Sequence, residues 1–204
     1  MPQPGADRSA SSAGTLEVAT AIRQLAPVGG AATRIVAIDG AGGSGKTTLA
    51  AAVAGQRDDC VVVHGDDFYR PMPEPERRQL DDEQGYRRYF DWERLYTEVL
   101  VPLRAGRTAR HQAYDWATGQ LGLWRDTVAG GVVIVEGVYS ARPELAHAYD
   151  LTVIVDTPRE TCLRRIRDRA ENSAEWIRRW RAAEDYYLRT TRPRSRVDVV
   201  IDGG

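Results

Sequence analysis

The chain has 204 residues, with 28 lysine and arginine residues against 29 aspartate and glutamate residues, and so a formal net charge of −1. The length favours a single domain, and the near-neutral charge excludes the positive excess typical of a general nucleic-acid binder. No run approaches the ~18 apolar residues of a membrane-spanning helix, and Cys60 and Cys162 are too few for a disulfide framework. We therefore expect a cytoplasmic protein with reduced thiols and with neither a nucleic-acid nor a membrane partner.

The first third of the chain predicts a tail, a helix and the start of a layered fold. Residues 1–14 are rich in Pro, Gly, Ser and Ala and lack a secretion signal, so we expect a disordered tail before one α/β domain over 15–204. Apolar spacing predicts helices, and short runs with β-branched residues predict buried strands. The predicted helices are Thr15–Leu25 and Lys46–Ala54, and the predicted strands are Arg34–Asp39 and Cys60–His64.

The rest of the chain continues this alternation after a polar stretch. Arg70–Tyr89 is rich in Pro, Glu and Arg and is expected to be a mobile surface segment. Asp91 is placed to cap a helix over 91–103, and residues 110–128 suit a small hairpin. The remaining predicted strands are Val132–Val135, Leu151–Val155 and Val197–Ile201, and the remaining helices are Arg159–Arg169 and Ala174–Thr190. Apolar strands alternating with helices predict a five-stranded parallel sheet covered on both faces.

One motif carries the chemistry. Its residues match G-x-x-x-x-G-K-[ST] at every position, and a strand precedes it and a helix follows it: Gly40, Ala41, Gly42, Gly43, Ser44, Gly45, Lys46 and Thr47. Glycines let consecutive backbone N–H groups point inward around a phosphate. The helix that begins at Lys46, and whose first turn includes Thr48, adds the positive end of its dipole. Lys46, the only lysine in the chain, can reach the β- and γ-phosphates, and the Thr47 hydroxyl can ligate Mg²⁺. The sequence therefore predicts a P-loop NTPase fold that binds ATP and Mg²⁺.

The other strand ends indicate which class of P-loop protein this is. The N-K-x-D motif of GTPases is excluded because Lys46 is the sole lysine. Asp66 and Asp67 follow the second strand, Glu136 alone ends the third, and twelve arginines lie between Arg159 and Arg196. A carboxylate can orient an acceptor hydroxyl and take its proton, while fixed cations stabilise the transferring phosphoryl group. This combination favours a small-molecule kinase with a hydroxyl acceptor.

The motifs also resemble one family. IVAIDGAGGSGKTT, HGDDFY, YFDWERL, YDW, VVIVEGVYS and VIVDTPRE, in this order, are similar to the uridine kinase family, in a wider group with phosphoribulokinase and bacterial pantothenate kinase. The resemblance runs from Arg34 to Gly204. It implies a P-loop kinase domain with an arginine-rich lid and a small acceptor-binding insertion, which transfers the γ-phosphate of ATP to a nucleoside hydroxyl. It also implies a possible homo-oligomer.

The resemblance assigns roles to single residues. Asp66 matches the catalytic base, Tyr69 a residue lining the nucleoside pocket, Asp91 the aspartate that holds ribose hydroxyls, and Tyr114 an aromatic residue against the base. Glu136 matches the acidic residue that ends the Walker B-like strand, where it can hold Mg²⁺ through water or help with the acceptor. The lid arginines correspond to Arg164, Arg165, Arg167 and Arg169, of which we expect Arg165 and Arg169 to contact phosphate and act in catalysis.

Aromatic residues and departures from the family pattern leave the acceptor open. We expect an aromatic cleft for a planar acceptor from Tyr89, Phe90, Trp92, Tyr114 and Trp116. The helical spacing of Trp176, Trp180, Tyr186 and Tyr187 predicts packing instead. The family usually has a base-reading histidine shortly after the element matched by Tyr114-Asp115-Trp116, where Ala117, Thr118 and Gly119 stand here. The alternatives are a kinase of the same group acting on a pantothenate-like or specialised alcohol, and a nucleotide-binding regulator that hydrolyses ATP without an acceptor.

Overall fold

The computed structural model describes residues 8–25, 33–169, 173–191 and 193–204. The strands are β1 Arg34–Asp39, β2 Cys60–His64, β3 Ala109–Asp115, β4 Gln120–Thr127, β5 Val132–Glu136, β6 Leu151–Asp156 and β7 Val199–Asp202. The helices are α1 Arg8–Gln24, α2 Lys46–Ala54, α3 Glu74–Gln79, α4 Asp82–Arg88, α5 Trp92–Arg94, α6 Val101–Arg104, α7 Arg159–Arg169 and α8 Ala174–Thr191. A π-helical turn, Leu95–Leu100, joins α5 to α6, and short 3₁₀ turns lie at Gly65–Phe68, Pro143–Ala148 and Pro193–Ser195.

The central sheet has five parallel strands in the order β2-β5-β1-β6-β7, which confirms the predicted architecture. β1 and β5 are buried along almost their whole length because helices cover both faces. Val18 and Ile22 of α1 pack with α2 on one face, while the other face carries the larger aromatic core. Since all five strands run the same way, their carboxyl ends form one edge, and ligands of open α/β sheets bind at such an edge.

The two ends of the chain differ from the predicted boundaries. α1 begins at Arg8 rather than at Thr15, so residues 8–14 belong to a helix instead of the predicted tail, and residues 1–7 lie outside the described part of the chain. β7 begins at Val199, two residues later than predicted. The Asp198 carboxylate accepts hydrogen bonds from the backbone N–H and the hydroxyl of Thr152, so this side chain holds the segment to β6 before the regular ladder starts.

The segment Arg70–Tyr89 is not the mobile surface stretch that its composition predicts. It contains α3 and α4, and α4 packs against α8 with Tyr86 and Tyr89 buried. A capping box starts α4: the Asp81 carboxylate accepts the Gln84 backbone N–H, and the Gln84 side chain accepts the Asp81 N–H. The burial of two tyrosines and the capping box therefore stabilise an ordered structure here despite the many charged residues of the segment.

The predicted helix over 91–103 and the predicted hairpin within 110–128 are both present. The helix over 92–104 begins after Asp91, whose carboxylate accepts the Arg94 backbone N–H at 3.4 Å. The hairpin expected within 110–128 is the antiparallel pair of β3 and β4. Among the described residues, no helix is both long enough and apolar enough to cross a bilayer.

Candidate active site

The phosphate loop connects β1 to α2 at the carboxyl edge of the sheet. Gly43 and Gly45 have φ angles of 78° and 102°, which side chains other than glycine rarely adopt. A Cβ on Gly43 would also lie 2.6 Å from the Cys162 carbonyl oxygen of α7. Lys46, the first residue of α2, is buried and its Nζ donates to the Ala41 carbonyl oxygen at 2.9 Å. The loop therefore has the concave backbone and the buried cation that phosphate binding requires.

Asp39 anchors the entrance to this loop. It is fully buried and accepts backbone N–H groups of Gly40, Tyr139 and Ala141 at 2.6, 3.1 and 2.8 Å. The Tyr187 hydroxyl donates a fourth hydrogen bond at 2.6 Å. Burial raises the pKa of Asp39, while the hydrogen bonds from Tyr187, Ala141 and Gly40 oppose this rise. Asp39 thus ties β1, the segment after β5 and α8 together, a structural role.

Glu136 brings the ends of β5 and β2 to the loop. Its carboxylate accepts the Thr47 hydroxyl at 3.1 Å and lies 2.7 Å from His64 Nδ1, and the in-register pairing of β2 with β5 places His64 beside it. This hydrogen bond is the main cause that raises the pKa of His64. A hydroxyl and a carboxylate at the rim of a phosphate loop are hard oxygen donors, which Mg²⁺ prefers together with water and phosphate oxygens. The two residues predicted for the metal therefore lie together, and their chemistry suits Mg²⁺.

The two aspartates of the Gly65–Phe68 turn point to different places. Asp66 lines the cleft beside the loop. Asp67 is buried against the hairpin, with its carboxylate 3.2 Å from both His111 Nε2 and Arg125 Nε. Asp66 is solvent-accessible along the cleft, yet desolvation by the surrounding walls raises its pKa, and Lys46 opposes that rise. Asp66 is therefore the carboxylate available for chemistry, whereas Asp67 holds the hairpin in place.

The cleft itself has a volume of about 350 Å³ and two contrasting walls. One wall consists of the loop, Asp66, Glu136 and Arg169. The other is aromatic and comes from the turn after β2, the hairpin and α8: Tyr69, Trp116, Trp176 and Trp180. The rings contact one another, with Tyr69 and Trp180 stacked at 4.8 Å between centroids and Trp176 and Trp180 at 5.4 Å. A planar or ring-shaped group placed against this wall would lie next to the phosphate loop.

The structure collects only part of the predicted acceptor site. Tyr69 and Trp116 line the cleft, whereas Tyr114 is buried behind them, 5.8 and 5.0 Å from their ring centroids. Asp91 is not among the residues that line the cleft: besides capping α5, its carboxylate pairs with Arg70 at 3.0 Å. The geometry therefore does not support the direct acceptor contacts that the resemblance implies for Asp91 and Tyr114.

The other aromatic residues are also divided differently between the cleft and the core than the sequence predicts. Tyr89 and Phe90 are core residues, and Trp92 lies under the Arg142 guanidinium instead of in the cleft. Trp176 and Trp180, expected only to pack, form half of the aromatic wall. Their i, i+4 spacing is the same for a buried stripe and for a cleft wall. The signal that was available is their position on the helix immediately after the predicted lid.

A second, larger cavity of about 770 Å³ lies on the other side of the loop. Its walls come from α1, the phosphate loop and α2, the C-terminal part of α7, and the end of β7 with Gly203. Arg165 donates to the Gly43 and Gly203 carbonyl oxygens, both at 3.3 Å, and lines this cavity, while Arg169 lines both cavities. Arg164 and Arg167 are exposed and line neither cavity. Two of the four predicted lid arginines therefore lie at the loop, and they are the two that we expected to contact phosphate.

Comparisons with known proteins agree with this geometry. The sequence model described as the phosphoribulokinase / uridine kinase family matches residues 35–201. A uridine kinase from Borrelia duttonii is 27% identical over 164 residues, covering 78% of this chain and 77% of the relative. A bifunctional alpha-galactosidase/sucrose kinase from Mediterraneibacter gnavus is 32% identical over 162 residues, covering 69% of this chain and 17% of that protein. The solved structure of a possible uridine kinase from Bacillus stearothermophilus superimposes with a TM-score of 0.73 at 25% identity, covering 94% of this chain and 98% of the other.

Proposed function

Because this chain belongs to the phosphoribulokinase / uridine kinase family, we propose that it is an ATP-dependent kinase that phosphorylates a hydroxyl group of a small molecule, with a nucleoside as the first acceptor class to test. One observation carries the proposal: the phosphate loop and the Asp66 carboxylate line the same cleft. A nucleotide-binding regulator needs the loop alone. A kinase also needs a carboxylate where the acceptor hydroxyl meets the γ-phosphate.

In this proposal the two cavities divide the substrates between them. The larger cavity, beyond Gly45, takes the base and ribose of ATP, and the loop passes the triphosphate into the smaller cleft. Lys46 leaves the Ala41 carbonyl oxygen for the phosphates, and the loop N–H groups hold the bridging and non-bridging oxygens. Arg169, which lines both cavities, would neutralise charge on the transferring group, while Arg165 would approach the nucleotide from the larger cavity.

The acceptor lies against the aromatic wall with its hydroxyl at Asp66. The hydroxyl oxygen forms a bond to the γ-phosphorus, the bond from that phosphorus to the β–γ bridging oxygen breaks, and ADP departs. Asp66 orients the hydroxyl and takes its proton late in the transfer. Closure of the arginine-bearing segment over the cleft would exclude water, which otherwise competes as acceptor.

Thr47 and Glu136 are the residues that would hold Mg²⁺ in the complex. When bound, this ion neutralises phosphate charge and orients the transferring group. Glu136 also acts on Asp66, since its negative charge contributes to the raised pKa of that carboxyl.

A carbohydrate hydroxyl is the second candidate acceptor. Tryptophan provides three of the four aromatic residues in the cleft, and flat indole faces suit the apolar faces of sugar rings as well as nucleobases. Asp91, the residue that the resemblance assigns to ribose, is held by Arg70 outside the cleft lining. The relative from Mediterraneibacter gnavus, which carries a sucrose kinase activity in its name, supports including sugars in the search.

The test is an ADP-release screen over nucleosides, sugars, sugar alcohols and pantothenate, with the phosphorylated product identified by mass spectrometry. Acceptor-dependent ADP release that disappears in Asp66→Asn would support the proposal. If the wild type releases ADP at one slow rate whatever the acceptor, and yields only inorganic phosphate, the hydrolytic alternative is correct. The Asp67→Asn variant is the matched control, because its carboxylate faces the hairpin.

A further inference from the structure

A buried carboxylate on α8 has no role in the mechanism above. Glu184 is fully buried, and its Oε1 accepts the backbone N–H of Gly42 in the phosphate loop at 3.2 Å. Its Oε2 accepts the guanidinium of Arg181, also buried, at 2.9 Å. A buried pair of this kind adds little to stability compared with apolar residues of the same size. Its position against the loop therefore calls for a functional explanation.

The Glu184 contact is made to the same peptide group that holds the loop lysine. The Ala41 carbonyl oxygen accepts Lys46 Nζ at 2.9 Å, and the N–H of that peptide, which belongs to Gly42, donates to Glu184. A cation and an anion thus hold the two ends of one peptide dipole. If Lys46 turns toward a phosphate, the hydrogen bond to Glu184 still fixes the plane of this peptide. Glu184 thereby sets the loop backbone from behind.

The preceding turn of α8 connects this carboxylate to the acceptor cleft. Trp180 is four residues before Glu184 on the same face of the helix, and both side chains are buried. Burial raises the pKa of Glu184, and hydrogen bonding by the Trp180 side chain is one of the smaller causes that oppose this rise. The Trp180 ring stacks on both Tyr69 and Trp176 of the aromatic wall. The 41–42 peptide, the Glu184 carboxylate and the aromatic wall of the cleft therefore form a continuous series of neighbouring groups.

We propose that Glu184 is a positioning residue that links the phosphate loop to the acceptor cleft, so that nucleotide binding depends on the state of Trp180. This proposal about Glu184 rests on the proposed function only because it takes ADP and ATP to be ligands of the phosphate loop. A linkage through one shared group is reciprocal, so an acceptor held against Trp180 should in turn strengthen nucleotide binding. No sequence motif marks this link, because the two residues that it joins, Gly42 and Glu184, lie 142 residues apart in the chain.

The first test uses the tryptophans, because replacement by phenylalanine keeps an aromatic ring and is the substitution least expected to disturb folding. The dissociation constant of ADP–Mg²⁺ is measured by calorimetry for the wild type, Trp180→Phe and Trp176→Phe. We expect Trp180→Phe, which loses the indole N–H beside Glu184, to weaken ADP about threefold to tenfold, and Trp176→Phe to stay within about twofold of the wild type. Equal effects of the two variants would overturn the link.

The second test removes the carboxylate. Glu184→Gln should weaken ADP–Mg²⁺ about tenfold, and Trp180→Phe should then have no further effect, whereas independent sites give additive effects. The control is Glu175→Gln, which makes the same change of side chain at an exposed carboxylate in the first turn of α8. If Glu184→Gln does not fold because Arg181 loses its partner, Arg181→Met combined with Glu184→Gln removes both charges of the pair. Unchanged ADP affinity in either variant, or full additivity, would disprove the proposal.

These measurements need no acceptor, so they separate the two proposals. A wild type that binds ADP–Mg²⁺ and phosphorylates no acceptor contradicts the proposed function and leaves the Glu184 link testable. A wild type that phosphorylates an acceptor while the tryptophan and Glu184 variants bind ADP normally contradicts the link alone.

Discussion

The phosphate loop and the aromatic wall of the cleft face each other, but they are built in opposite ways. The loop is one run of eight residues, and its own glycines and the helix that begins at Lys46 determine most of its conformation, with one added hydrogen bond to Glu184 of α8. The wall takes single side chains from three places far apart in the chain, namely Tyr69, Trp116 and the tryptophans of α8. The donor side is thus encoded mostly by neighbouring residues, and the acceptor side only by tertiary packing. Substitutions can therefore test whether the two halves act separately.

The largest effect is expected at Asp66, where the two halves meet. Asp66→Asn keeps the shape of the side chain and removes the proton acceptor, so kcat should fall by about 10²–10⁴-fold while ADP affinity stays within a few-fold of the wild type. Steady-state kinetics and calorimetry measure the two quantities. Because the pKa of Asp66 is raised, the acidic limb of the wild-type kcat/KM profile should lie above pH 3.8, and the variant should lack that limb. An Asp66→Asn enzyme with normal turnover would remove this residue from the mechanism.

Lys46 tests the donor half by itself. Lys46→Met should lower kcat/KM by about 10²–10³-fold and weaken ADP binding, because the buried ammonium is the cation of the loop. Lys46→Arg is the matched control. It keeps the charge, but a planar guanidinium does not replace a point charge held 2.9 Å from the Ala41 carbonyl oxygen, so activity should stay low. Normal ADP affinity in Lys46→Met would contradict the assignment of this loop to phosphate binding.

The aromatic wall tests the acceptor half. Trp116→Ala removes a half-exposed ring of the cleft and should raise the acceptor KM about tenfold, since the stacking of a planar group on an aromatic side chain contributes about 1–3 kcal/mol. The KM for ATP should change less than twofold. Trp124→Ala, an exposed tryptophan of the same hairpin, is the control and should change neither constant. A rise in the KM for ATP equal to that for the acceptor would contradict the division into two halves.

The smallest effect is expected at Asp91, where the structure and the family resemblance disagree. Asp91→Ala removes the cap of α5 and the Arg70 pair, which should lower the free energy of unfolding by about 1 kcal/mol. For a chain of this size, thermal denaturation should show a decrease in Tm of about 2–4 °C. The acceptor KM should not change. A tenfold rise in that KM would instead support the ribose contact that the resemblance implies.

Sequence reasoning reached furthest where neighbours along the chain determine the structure. The strands β1 and β2, the helices α2 and α7 and the phosphate loop follow from local patterns. The rule that parallel strand ends share one edge accounts for Glu136 lying near Thr47. The packing of α4 against α8 could not be predicted, because two tyrosines among many charged residues do not reveal what they pack against. Its partner, α8, lies about 90 residues later.

The acceptor side could be predicted only in part for the same reason. Tyr69 follows a strand end, so its place near the loop could be inferred, whereas Trp180 reaches the cleft only through the packing of α8. Asp91 shows the converse problem. A residue that matches a family motif also makes a good helix cap, and only the structure reveals that Arg70 takes up its carboxylate. Glu184 carried no signal at all, since a glutamate in an arginine-rich helix resembles any surface residue.

The single lysine has a practical consequence for labelling chemistry. Apart from the terminal amine, Lys46 is the only primary amine in the chain, and it is buried against its own loop. Amine-directed acylating reagents therefore have one internal target, and modification there would abolish the charge that the loop provides. The extent of labelling, read as the added mass on the proteolytic peptide that contains Lys46, would report occupancy of the loop. Lysine-based immobilisation should be avoided in favour of a tag.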